Sequence, residues 1–337
     1  MFNKVRVKFG GMGGDHGVVL LTGGTSGIGR AAARQLAERG ATVLVTGRRR
    51  RKGEAVLDEI RAAHPDGAGE FYLVDFADLG EVRQLAADVK ADYDRLDVLV
   101  NNAGTGEPER TLTEDGIEKT FAVNYVAPFL LTNLLVPRLC DSPPARVLNT
   151  VTVARHDSLA DMRGAVLSNL EVVATGDYNF SPEETPGADT PFDPTRAYVN
   201  SKLALLLFTY ELAVRLAGTG VTVACFHPGL IGATDFPRHM PLRLKMFYRT
   251  AALTARITPL AGILFGTDIV DELETQESAG ETLVHLALDQ ELVDGEGAYF
   301  DQRDRTAPGP WPHDEELRTR LWKYTATLTG LTETIPV

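Results

Sequence analysis

Short unbroken apolar runs alternate along this chain with longer stretches in which apolar residues return every three or four positions. Residues 18–21 (Val-Val-Leu-Leu) contain no polar member, the pattern of a strand buried on both faces. A glycine-rich turn follows, after which Ile28, Ala32 and Leu36 fall on one helical face and Gly40 marks a stop. The exchange then repeats. It predicts a strand over 42–46, a charged helix over 52–63 halted before Pro65, and a strand over 71–74 closing at Asp75. A helix over 79–93 leads to a strand over 98–100, which runs into Asn101-Asn102-Ala103-Gly104. A long helix over 116–139, a strand over 146–151, a helix from Tyr198 to about 217, a strand over 221–226 and a seventh strand over 298–300 complete the series. Strict alternation with continuous apolar strands implies an α/β fold: a single-domain Rossmann-type, doubly wound parallel sheet of about seven strands with helices on both faces. Ligands of such sheets bind beyond the carboxyl ends of the strands, where the strand order reverses.

Composition narrows this picture little. The 337 residues, 44% of them hydrophobic, suffice for one large domain, here read as 17–330, with an N-terminal arm at 1–16 and a tail at 331–337. Gly10 to Gly14 make the arm read as flexible. A net charge of −12 argues against nucleic acid as a partner. Cys140 and Cys225 lie far apart, with neither a disulfide framework nor metal-ligand spacing, which fits a reducing compartment and a cytoplasmic location. No run of about 18 apolar residues is present, so no spanning helix is expected. The basic first residues lack the apolar stretch of a secretion signal.

The candidate chemistry begins at Thr22-Gly23-Gly24-Thr25-Ser26-Gly27-Ile28-Gly29, between a strand and a helix. Glycine lets backbone approach a pyrophosphate closely, and a helix N-terminus favours its negative charge. An acid at the end of the second strand would bond a ribose 2′-hydroxyl and repel a 2′-phosphate. This chain has Gly47-Arg48-Arg49-Arg50-Arg51-Lys52 there. Guanidinium groups match phosphate, so NADP(H) is expected over NAD(H), with Arg48 as first contact and Arg49 next. Arg50, Arg51 and Lys52 read as the exposed start of a helix. Tyr198 and Lys202 stand four residues apart, on one helix face. A cation beside a phenol lowers its pKa and makes a general acid/base usable near neutrality.

The T-G-x-x-x-G-x-G spacing, the N-N-A-G run and the Tyr198–Lys202 pair together resemble the short-chain dehydrogenase/reductase family over roughly 17–330, in its retinol dehydrogenase-like and protochlorophyllide reductase-like branches. The resemblance implies cofactor contacts from Gly23, Thr25, Ser26, Gly27, Ile28, Gly29, Asn102, Ala103 and Gly104, and from Tyr198 and Lys202 themselves. It implies an adenine contact for Asp75, which as a bare residue could equally cap the next turn. Asn124 matches the family's helix Asn, which holds a water leading from Lys202 to solvent, and Pro128 inside that helix would free backbone groups or kink it. Alignment on R-I-V-N-V-S-S puts Thr152 where the family has its catalytic Ser, with Thr150 as the alternative register. Pro228 and Gly229, with Ile231 and Thr234, resemble the P-G motif at the nicotinamide carboxamide, and His227 reads as a strand-end residue.

Thr152 and Tyr198 are 46 positions apart, against about a dozen in typical members, because of an acidic, proline-bearing insertion at 155–195. In some relatives such an insertion covers the dimerising helix face, so a monomer is expected, with a homodimer as the alternative. Apolar and basic residues interleaved over 235–265 make a substrate lid, which implies a lipophilic substrate. Contact with a membrane surface is the lesser reading of that segment. The implied function is hydride transfer between NADP(H) and the carbonyl or alcohol of a lipophilic small molecule, with no metal. The alternatives are reduction of a conjugated C=C bond, against which Ala204 stands where that branch has Cys, and a catalytically silent NADP(H) sensor.

Overall fold

The apolar runs pair as the alternation requires. The computed structural model describes residues 6–9, 17–65, 67–152, 170–175, 192–231, 273–289, 297–309 and 311–335. In chain order the strands are β1 (Arg6–Phe9), β2 (Val18–Leu21), β3 (Thr42–Gly47), β4 (Gly69–Leu73), β5 (Val98–Asn101), β6 (Ala145–Thr150), β7 (Val221–His227), β8 (Leu230–Ile231), β9 (Leu273–Glu274), β10 (Ala298–Asp301) and β11 (Asp304–Thr306). The helices are α1 (Gly27–Glu38), α2 (Arg50–Ala63), α3 (Leu79–Asp92), α4 (Lys119–Cys140), α5 (Leu170–Thr175), α6 (Pro194–Arg215), α7 (Gln276–Leu288) and α8 (Glu315–Leu328).

The main sheet has the order β1-β4-β3-β2-β5-β6-β7-β10-β11. Its seven inner strands are parallel and are the seven read from the sequence. Two antiparallel edge strands add to them. β11 closes a hairpin on β10, and β1 pairs with β4 from within the segment read as an arm. The order reverses between β2 and β5, the first and fourth of the parallel set, and this is the ligand crevice of a doubly wound sheet.

Successive side chains of a strand point to opposite faces, and the core divides accordingly. Val18, Leu20, Leu99, Val147 and Val223 join the layer of α3, α4, α6 and α8. Val19, Leu21, Val100, Leu148 and Ala224 join the layer of α1, α2 and α7. Full burial of each valine or leucine side chain among them contributes roughly 1.5–3 kcal/mol.

Helix α4 is long and apolar enough to cross a membrane by length and composition, but 89% of its most apolar window is buried inside the molecule, as befits a core helix. Pro128 does not break it. Residues Ala122–Val126 form a π-helical stretch, and Pro128 sits in the first turn of the α-helical part that follows. Proline has no N–H for the carbonyl four residues back, and a π-turn passes that bonding to the residue five ahead.

The C-terminal helix α8 packs on the body of the domain. Asp314 caps α8, accepting from the Leu317 N–H at 2.9 Å, and Gly330 follows at φ +64°. Trp322 of α8 packs edge-on to Phe129 of α4 at 4.9 Å and stacks on Phe208 of α6 at 5.8 Å. The Arg215 guanidinium lies 4.2 Å from the Trp322 ring centre.

Candidate active site

The glycine turn is shaped by contacts that leave no room for side chains. Gly23 and Gly27 have φ of +68° and +56°. A Cβ on Gly23 would lie 2.8 Å from Ala103 Cα, and one on Gly29 would lie 2.7 Å from Asn102 Nδ2. Thr22 binds the turn to the N-N-A-G segment: its Oγ1 accepts from the N–H groups of Asn102 at 2.9 Å and Ala103 at 3.0 Å. Asn102 Nδ2 donates to the Thr22 carbonyl at 3.0 Å. Ser26 occupies the N-cap of α1 in extended conformation, without a side-chain capping bond, and the first turn has no acidic residue. The exposed N–H groups and the helix dipole there favour an anion. Thr25 packs against the end of β3, where a Cβ on Gly47 would meet its side chain at 2.6 Å.

Arg48 and Arg49 follow β3 and are exposed. Arg48 Nη1 lies 3.9 Å from Asp75 Oδ2 beyond β4, a loose ion pair. Asp75 does cap its turn, accepting from the Ala77 N–H at 3.0 Å. Arg50 pairs within α2 with Glu54 at 3.1 Å.

On the other side of the reversal, Asp193 caps α6 through the N–H groups of Thr195 and Arg196, and Pro194 occupies the first turn. The cap sets the register that brings Lys202 inside. Lys202 is 4% exposed, and its Nζ donates to the Thr150 carbonyl, the last of β6, at 2.7 Å. Burial lowers the Lys202 pKa to about 8 and raises that of the partly buried Tyr198 to about 12. The expected depression of the phenol by its neighbour is therefore not found in this arrangement, in which desolvation dominates.

Asn124 lies in the π-helical stretch, fully buried. Its Oδ1 accepts from the Thr105 N–H at 2.8 Å, while Nδ2 donates to the Thr105 carbonyl and to Ser201 Oγ, each at 2.9 Å. Ser201 Oγ in turn donates to the Tyr198 carbonyl at 2.6 Å. Both amide protons are thus taken by protein, and the side chain clamps the loop after β5 to the turn of α6 that carries Tyr198. Gly104 stands beside the clamp, since a Cβ there would lie 3.4 Å from Asn124 Oδ1 and 3.6 Å from Lys202 Nζ.

Thr152 lies two residues beyond β6 and is partly buried, the ladder continuing through the Val151 N–H to the Phe226 carbonyl at 2.9 Å. Pro228 and Gly229 follow β7, Gly229 with φ +83°, and Ile231 lies in β8, paired in parallel with β9. His227 is the buried last residue of β7. Thr234, the lid at 235–265 and most of the insertion at 155–195 lie outside the described residues. Within the insertion, α5 meets the start of α4, where the Glu118 N–H donates to the Ala174 carbonyl at 2.7 Å. Sequence reasoning named Thr22 in the glycine motif without its role, and missed Thr105 and Ser201. Ser201 had a signal, standing next to Lys202; for Thr105, which acts through its backbone, side-chain chemistry offers none.

The chain matches the short chain dehydrogenase family over residues 17–163. Retinol dehydrogenase 13 of Homo sapiens is 34% identical over 313 residues, covering 93% of this chain and 84% of that protein. Retinol dehydrogenase 14 of Mus musculus is 32% identical over 336 residues, covering 95% and 89%. Among solved structures, an uncharacterised protein from Mycobacterium paratuberculosis superposes with a TM-score of 0.62 at 27% identity, over 96% of each chain. A Beutenbergia cavernae protein described as an NAD(P)-dependent gluconate 5-dehydrogenase, with bound NADP, gives 0.57 at 26% identity, covering 85% of this chain and 95% of that one.

Proposed function

This chain belongs to the short-chain dehydrogenase/reductase family, on its retinol dehydrogenase-like branch, and from that premise we propose that it is an NADP(H)-dependent oxidoreductase acting on the carbonyl or alcohol of a lipophilic small molecule. The observation that carries the reading is the meeting of Lys202, Asn124 and the Tyr198 turn at the carboxyl end of β6, across the strand reversal from the glycine turn. The residues fit a dinucleotide: a cradle that a Cβ at Gly23 or Gly29 would fill, a helix start without a capping side chain, and Arg48 and Arg49 where a 2′-phosphate would need cations.

When bound, NADPH supplies the hydride. Tyr198, with its pKa near 12, is protonated at neutral pH and serves as the acid that donates to the substrate oxygen. Thr152 holds the same oxygen through its hydroxyl. The Lys202 ammonium favours transient phenolate, and the Asn124 clamp keeps the α6 turn at a set distance from the loop after β5. The lipophilic substrate class rests on the apolar content of 235–265 and on the names of the relatives.

Oxidation of NADPH and of NADH is to be followed over a panel of ketones and aldehydes that includes retinoids. The parent protein is expected to turn over with NADPH. Tyr198→Phe should abolish turnover while weakening NADPH binding by no more than about tenfold, the most that one neutral hydrogen bond to the cofactor contributes. Undiminished turnover by that variant would remove Tyr198 from the mechanism. Tight binding by the parent without turnover on any compound would favour a sensor.

A further inference from the structure

Thr150 ends β6 with a hydroxyl that the described residues do not use. The residue is 7% exposed, and its Oγ1 is buried without a hydrogen-bond partner among the described residues. Native interiors seldom leave such a group unpaired, because its lost hydration is not repaid. Valine fills the same volume without that penalty, and packing alone would select it.

The surroundings of this hydroxyl belong to the cofactor crevice. The Thr150 carbonyl receives the Lys202 ammonium at 2.7 Å. Strand alternation sets the Thr150 side chain on the face of Leu148, whose layer contains α1. The glycine turn opens α1 at this same carboxyl edge of the sheet. β6 lies three strands from β3, which Arg48 follows, and neighbouring strands are about 4.8 Å apart. Thr150 is therefore about 14 Å across the sheet from the 2′-phosphate side, at the opposite half of an extended dinucleotide. One rotation about χ1 exchanges the hydroxyl with the methyl group, so meeting a ligand requires no backbone movement.

We propose that the Thr150 hydroxyl is a cofactor-binding group, hydrogen-bonded to the polar groups of the nicotinamide riboside half of the bound dinucleotide. This rests on the NADP(H) reading and adds to it a residue that discriminates between the two halves of the cofactor.

Thr150→Val and Thr150→Ser are to be titrated with NADPH and with 2′,5′-ADP, which lacks the nicotinamide half, and melted without ligand. Thr150→Val is expected to bind NADPH about 3- to 10-fold more weakly, the effect of one neutral hydrogen bond. It should bind 2′,5′-ADP as the parent does and melt no lower than the parent. Thr150→Ser should stay within about twofold of the parent for both ligands. Unchanged NADPH affinity in Thr150→Val would overturn the proposal, and so would an equal loss for both ligands. If the parent itself binds no NADPH, the cofactor reading falls and takes this inference with it; a parent that binds beside an unaffected valine variant sinks the inference alone.

Discussion

At the scale of single residues, the site is governed by what burial does to charge. Lys202 has its pKa lowered from 10.5 to about 8, so between those values the folded protein binds fewer protons than the unfolded chain. Stability then rises with pH across that window, and the cost of the buried charge is fully present below it. Tyr198 acts oppositely: raised from 10.0 to about 12, it makes stability fall as pH climbs between them. Lys202→Met should therefore melt higher than the parent at neutral pH, with the gap narrowing above the Lys202 pKa. Melting curves over a pH series test this, and a gap that does not change with pH would contradict it. Arg48 is the converse case, an exposed cation whose 3.9 Å pair with Asp75 adds little to folding. Arg48→Glu should leave the melting temperature nearly unchanged and weaken NADPH by about tenfold or more relative to NADH, as loss of a charged hydrogen bond to phosphate requires. Equal loss for the two cofactors would remove Arg48 from the selection. The identities of Tyr198, Lys202, Asn124 and Arg48 were legible from motif spacing. Their partners were not, because Thr105 and Thr150 contribute backbone atoms that every residue possesses.

At the scale of elements, α4 shows what periodicity misses. Its apolar content announced a buried helix, and Pro128 warned of a disturbance, but the π-helical form of Ala122–Val126 depends on packing on both sides. Asn124 faces the site, while Tyr125, next to it, is buried against α8 with its hydroxyl 2.8 Å from Thr325 Oγ1. Thr325 Oγ1 already donates to the Leu321 carbonyl at 2.8 Å, so the phenol is the donor. Thr325→Val would leave that phenol buried and unpaired, at a cost of about 1–3 kcal/mol. Chemical denaturation should show this loss, and Tyr125→Phe combined with it should recover part of it; an unchanged midpoint in the single variant would mean that the bond contributes nothing. The edge strand β1 escaped the sequence reading for a different reason. An edge needs only backbone pairing on one side, so no apolar signature marks it.

At the scale of the whole molecule, the monomer expected from the sequence rested on the insertion covering a helix face. Among the described residues α8, from the far end of the chain, also packs on α4 and α6, through Trp322 and the aromatic side chains of Phe129 and Phe208. The same terminal segment is tied down where Trp322 Nε1 and Arg215 Nη1 both donate to the Glu333 carbonyl at 2.9 Å. The sequence by itself determined the β–α alternation, the seven parallel strands, the family and the residue types at the strand ends. These follow from local periodicity and from the few residues that can turn tightly, carry a proton or hold a phosphate. Tertiary structure alone decided that Lys202 grips the end of β6, that Asn124 spends its amide on a clamp, and that burial raises the Tyr198 pKa. Each of those depends on distances between segments far apart in the chain and on the water that packing excludes, and neither quantity is written in local sequence.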